Sequence, residues 1–264
     1  MNARFGFAVV SAALLATLLA SCGKKEESSE RAPAPTAAPA ATPVDAATAG
    51  SVTGSVKLEG AAPKARKINM AADAYCNSQH PGGASDEEVV ADAKGDLANV
   101  IVYVKDGLGG RTFDVPKAPV ELSQKGCMYT PHVIALMAGQ ALSVVNADKT
   151  THNIHPVPRN NREWNKSQVA GAPNIEDAFA REEISVPVKC NIHPWMKSYI
   201  AVFKNPYFQV TGGNGSFELK NLPPGTYTIE AWHEKYGTSN QTVTIGPKES
   251  KAVTFTFKAA AAGD

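Results

Sequence analysis

Cys190-Asn191-Ile192-His193-Pro194-Trp195-Met196 sets a thiol, an imidazole and a thioether at i, i+3 and i+6. The runs around it read as short strands, Ile184 to Val188 leading in and Tyr199 to Phe203 leading out. A tight connection of this kind across the end of a sandwich aims several side chains at one point. Upstream, Thr150-Thr151-His152-Asn153-Ile154-His155 brings a second imidazole from a neighbouring loop. Two imidazole nitrogens, a thiolate and a weak axial thioether are the ligand set of a trigonal electron-transfer copper site, and methionine suits zinc poorly. The expected ligands of a single copper are therefore His152, Cys190, His193 and Met196.

Outward from this stretch the chain reads as short strands. Val52 to Leu58, Asn99 to Val104, Val120 to Leu122, His132 to Leu136 and Ala141 to Val145 precede His152, each closed by turn residues. After Pro206 the runs are Gly215 to Leu219, Thr226 to Trp232, Thr242 to Ile245 and Val253 to Phe257, with Leu222-Pro223-Pro224-Gly225 as a turn. Helix is expected only as a short piece near Ser85 to Ala91 and one turn at Glu176 to Arg181. The fold class is thus all-β: a Greek-key sandwich around the copper ligands, followed by a smaller C-terminal antiparallel sandwich.

The N-terminus carries a processing signal. Arg4 is its positive region, and Phe5 to Ala20 is apolar but short for a membrane span. Leu19-Ala20-Ser21-Cys22 resembles a bacterial lipoprotein signal, which implies cleavage before Cys22 and acylation of its sulfur. The lipid would anchor the chain to a membrane of the cell envelope, facing the periplasm, and Gly23 after the cysteine implies the outer membrane. Residues 22–50 form a tether; Pro33, Pro35, Pro39 and Pro43 among alanines stiffen it and leave it little to bury. The expected organisation is then signal 1–21, tether 22–50, copper region 51–205 and small module 206–264. Four strands make a thin sandwich, so the strand at 51–60 is expected to join the last module.

Three cysteines remain beside Cys22. The compartment is oxidising, and with Cys190 on a metal the pair left is Cys76 and Cys127. A second metal site is the alternative, since His80 follows Cys76 and His132 follows Cys127. The charge balance of 26 basic against 25 acidic residues shows no basic stripe, which argues against nucleic acid as a partner. No Ser/His/Asp spacing or phosphate loop is present, and too few histidines remain for a second copper, so no catalytic residues are expected.

The segments at His152 and Cys190 to Met196 resemble the blue-copper cupredoxins, in the amicyanin-like spacing after the cysteine. The resemblance spans roughly residues 97–205 and implies a type 1 copper that carries single electrons. It implies that the backbone of Asn153 hydrogen-bonds the thiolate, and that His193 is the partly exposed ligand through which electrons pass. Pro194 and Trp195 would then form a docking patch for a transient redox partner such as a c-type cytochrome, with the protein itself a monomer. The other two expectations are copper delivery by the same ligands, and a metal-free sandwich that binds a protein or a glycan. Phe217-Glu218-Leu219, Leu222-Pro223-Pro224-Gly225 and Tyr227 resemble carboxypeptidase-regulatory or transthyretin-like modules.

Overall fold

Ser198-Tyr199-Ile200-Ala201-Val202-Phe203 is apolar on both faces, and its strand is covered on both faces. In β13 (Lys197–Phe203) Ile200 and Val202 enter one core, while Ala201 and Phe203 enter another. A strand covered on both sides loses the apolar/polar alternation of a half-exposed one. The computed structural model describes residues 40–259; the expected signal at 1–21, Cys22 and the tether up to residue 39 lie outside the described residues.

Four sheets stack as layers. The first holds β11 (Ile175–Ala178), β8 (Ala141–Asn146), β5 (Val120–Lys125) and β6 (Met128–Thr130), in that order. The second holds β10 (Lys166–Gln168), β9 (His152–Pro156), β12 (Glu183–Lys189), β13 and β7 (Val133–Met137). Between them lies the core that contains Leu122, Leu142, Val144, Ile154, Val186, Ile200 and Cys190. The third sheet is β14 (Phe208–Val210), β4 (Ile101–Asp106), β16 (Gly225–His233) and β17 (Gly237–Ile245). The fourth is β15 (Ser216–Leu222), β1 (Gly50–Glu59) and β18 (Ser250–Lys258). A second core fills the space between these two, with Val52, Val56, Val102, Val104, Ile229 and Phe255 fully or nearly fully buried.

A third, smaller core joins the inner layers. Ile101 and Tyr103 of β4 meet Val133, Ala201 and Phe203. The ring of Phe203 lies 4.8 Å from Tyr103 and 4.7 Å from Phe208, the latter stacked. Aromatic contacts at these spacings add to the burial itself.

The pairing differs from the sequence reading in four places. The strand Gly50–Glu59 joins the last module as expected, between β15 and β18, but Ile101–Asp106, read within the 51–205 region, pairs there too, with β14 and β16. Val102 and Val104 supply apolar area that four C-terminal strands alone lack. The sandwiches are not purely antiparallel: β1 with β18, β5 with β8 and β7 with β13 run parallel. Glu176 to Arg181 is not helical, since residues 175–178 pair as β11 with β8. The helix, α1 (Ala74–Gln79), stands earlier than Ser85, between the short strands β2 (Lys67–Ile68) and β3 (Ala84–Ser85). Its N-cap Asp73 accepts the Cys76 backbone N–H at 2.8 Å, a signal that outweighs the acidic run around Glu87. At the other end of the described chain, Thr42 N–H donates to Thr112 O at 2.8 Å, so the last part of the tether is held against the body.

Candidate metal centre

β12 and β13 pair up to Lys189 opposite Lys197, which makes residues 190–196 the connection between them. The connection is closed by its own bonds, Met196 N–H to His193 O at 2.9 Å and Cys190 N–H to Met196 O at 3.3 Å. β9 lies against β12, with Lys189 opposite His155, so His152 at the start of β9 reaches the same end of the sheet. There Nδ1 of His152 and Nδ1 of His193 stand 3.0 Å apart, and the Cys190 sulfur is 3.9 Å from His193 Nδ1. The three donor atoms lie within 4.8 Å of one another and all three residues are buried. Met196 is fully buried in the same core as Cys190. Sequence-expected residues 152, 190 and 193 are thus brought together, with Met196 closing their loop.

Each imidazole is held from its far side by a carboxylate. Asp148 Oδ2 is 2.8 Å from His152 Nε2 and also accepts Cys127 N–H at 2.7 Å, while its Oδ1 accepts Gly126 N–H at 2.7 Å. Gly126 and Cys127 are the two turn residues between β5 and β6, both with positive φ (61° and 55°). A two-residue turn of that hand suits the twist of a hairpin. Asp73 Oδ2 is 3.2 Å from His193 Nε2. A carboxylate on Nε2 assigns the proton to that nitrogen and leaves each Nδ1 as an acceptor. Two acceptor nitrogens facing each other beside a thiol form a donor set suited to a soft or borderline cation, so the residues fit a bound metal ion.

Electrostatics support the thiolate. Burial by itself raises the Cys190 pKa, but the His152 ring and the backbone N–H groups of His193, Ile192 and Asn153 outweigh it and lower the thiol below its ordinary value. His193 N–H lies 3.3 Å from the sulfur. Burial lowers His152, and Asp148 with Cys190 overrides it, leaving the imidazole raised. Asp148 is raised by burial and lowered further by His152 and the two turn N–H groups, for a net fall. The Asn153 carbonyl accepts from Tyr129 Oη at 2.5 Å, and its side-chain Oδ1 accepts Asn191 N–H at 3.0 Å. Asn153 therefore ties β9 to the 190–196 connection.

Several expectations need correction or completion. His193 is buried, 2 % exposed, rather than partly exposed, because α1 and Asp73 cover its Nε2 edge. Pro194 is exposed and Trp195 half-buried, its Nε1–H donating to Cys127 O at 3.0 Å. Cys76 and Cys127 form a disulfide with Cα atoms 5.5 Å apart, so their sulfurs are not free to hold a second metal. His80 instead bonds Gly126 O at 2.7 Å, and His132 pairs with Glu234 across the two sandwiches. Asp148 and Asp73 were missed. A carboxylate four residues before a ligand histidine was a legible signal for Asp148; Asp73, in a segment read as irregular, offered none.

Residues 204–258 match the family of carboxypeptidase regulatory-like domains. No curated protein matches the chain. Among solved structures, it is similar to a purple cupredoxin from Nitrosopumilus maritimus at 19 % identity, covering 31 % of this chain and 98 % of that one, TM-score 0.27. It is also similar to amicyanin variants, one in the Cu(I) state at 14 % identity over 38 % of this chain and 97 % of that one, TM-score 0.29. A copper-containing nitrite reductase from Thermus scotoductus SA-01 is 19 % identical over 37 % of this chain, TM-score 0.32. The match spans a quarter, 25 %, of that reductase's length.

Proposed function

We propose that this protein is a type 1 copper protein that carries single electrons in a bacterial cell envelope. The observation that carries the reading is the convergence of His152 Nδ1, His193 Nδ1 and the Cys190 sulfur within 4.8 Å in a buried site, with both Nε2 atoms on carboxylates. His152, Cys190 and His193 would hold copper, with the Met196 thioether as a fourth, weaker donor. Copper so bound supplies one-electron exchange between its two common oxidation states. The chain's own residues supply rigidity: Asp148 and Asp73 hold the imidazoles, the N–H groups of His193 and Asn153 hold the sulfur, and the β12–β13 pairing holds the loop. A centre held in this way changes little between redox states.

Four protein donors leave no position for a substrate, so the role proposed is transfer and not catalysis. The Leu19-Ala20-Ser21-Cys22 pattern supports a lipid anchor on an envelope membrane, with the body facing the periplasm. A transient redox protein such as a c-type cytochrome is the proposed partner, meeting the surface around Pro194 and Trp195. The test is to add copper(II) to the purified protein and record its visible spectrum and voltammogram. An intense blue thiolate band, abolished by Cys190→Ser, and reversible one-electron waves are expected. A colourless adduct, or a band that survives Cys190→Ser, would overturn the reading.

A further inference from the structure

We infer that electrons cross the protein surface at Trp195 rather than at His193, in a groove whose lysines select a partner with an acidic face; this rests on the copper reading above. The Nε2 edge of His193 is closed. Asp73 stands on it at 3.2 Å and the Cys76 sulfur lies 3.6 Å away, with α1 over both. The ring of Trp195 is the aromatic neighbour that continues outward from His193, at 5.1 Å between centroids. Its bond to Cys127 O fixes the indole, which lines a groove of ≈ 380 Å³ with Ile68 and Pro194.

The groove's charge points to the partner. Its cations are Arg66, Lys67 and Lys197, and its one acid is Asp86. Arg66 Nε sits 2.6 Å from Asp86, so that pair cancels. Trp195 and Lys197 also border a second hollow, where Glu88 is paired with Lys235 and Glu234 with His132. Lys67 and Lys197 are exposed and form no ion pair among the described residues, so beside the ring two lysines stand against Glu87 as the one unpaired acid. Such an arrangement steers a carboxylate-rich face onto the ring and makes the association rate fall with salt. The occupant is a one-electron metalloprotein with an acidic face. A single electron passes from its reduced metal to the oxidised centre through the Trp195 and His193 rings, and no bond or proton is exchanged.

Stopped-flow oxidation of the reduced, copper-loaded full chain tests this, with hexacyanoferrate(III) as anionic probe and tris(phenanthroline)cobalt(III) as cationic probe. At low salt, Lys67→Glu with Lys197→Glu is expected to slow the anion at least tenfold and speed the cation, the gap closing as salt rises. Lys220→Glu with Lys258→Glu makes the same charge change on the far sheet and should move either rate less than twofold. Trp195→Leu is expected to slow both probes tenfold or more while the blue band stays. If the groove variant behaves like the far-sheet one, or Trp195→Leu keeps the parent rates with its band intact, the inference is wrong and the copper reading stands. If the parent protein forms no blue band, the copper reading fails and takes this inference with it.

Discussion

The carboxylate of Asp73 stands 3.2 Å from Nε2 of His193, a residue 120 positions further along the chain. The same side chain caps α1 through Cys76 N–H, and Cys76 is bonded to Cys127 in the turn beside the ligands. One carboxylate thus links a short helix, a disulfide and the His193 imidazole. The N-cap bond lowers its pKa first, with His193 adding to that effect against burial.

Asp73→Ala should cost about 1 kcal/mol of stability through loss of the cap, read by denaturant unfolding. Asp73→Asn keeps an oxygen for the cap and removes only the charge beside His193. Its voltammogram is expected to show a higher potential than the parent, because an anion there favours the oxidised, more positive centre.

Asp148→Ala leaves the buried Cys127 N–H, the half-buried Gly126 N–H, the Tyr75 hydroxyl and His152 Nε2 without their acceptor. A loss of at least ~3 kcal/mol is expected in urea unfolding, since each orphaned group costs on the order of 1–3 kcal/mol. Asp148→Asn is milder for folding and should weaken copper binding about 10–100-fold, measured by competition with a chelator. Asp148 has a folded pKa below its unfolded one. Its contribution is therefore present above about pH 4 and is lost as pH falls through the folded value.

His233 is fully buried and its pKa is pushed down to about 4, by burial first and then by the charge of His132. Between that value and about 6.5 the unfolded chain binds the extra proton, so stability falls as pH is lowered through this window. His132, raised by Glu234 against burial, contributes with the opposite sign as pH rises. His233→Phe keeps an aromatic ring beside Tyr236 and Phe257 and should flatten the acid side of a melting-temperature profile.

Cys76→Ala with Cys127→Ala removes a crosslink over a separation of 51 residues. Loop-closure entropy puts the loss at about 4 kcal/mol. Calorimetry should show the drop. The blue band should persist with a shifted potential, since the Cys76 sulfur lies 3.6 Å from His193 Nε2.

Met196→Leu removes the sulfur proposed as the weak fourth donor and keeps a buried apolar side chain of similar size, so folding should change by less than about 1.5 kcal/mol. The blue colour is expected to remain and the potential to shift, read by voltammetry.

Cys190, His193 and Met196 were legible as one donor group because they share a seven-residue connection, and His152 because a second imidazole of the right chemistry lay within one neighbouring strand. The strands at Val52 and Ile229 were legible from side chains that alternate at every second residue, and those at Ile101 and Ile200 from short apolar runs bounded by turn residues, both local properties of the chain. Counting thiols left Cys76 and Cys127 as a disulfide or a second metal site, and the structure makes them a disulfide. Burial of His193, the second imidazole's anchor at Asp73 and the place of Ile101–Asp106 in the third layer were decided only by tertiary structure. These depend on which distant segments pack together, and a segment such as residues 61–96, with little periodicity of its own, is positioned by the disulfide, the cap and the surfaces it covers. Sequence alone determined which atoms could hold a metal and most of the strands that carry them; the packed layers decided which edge of the site meets solvent.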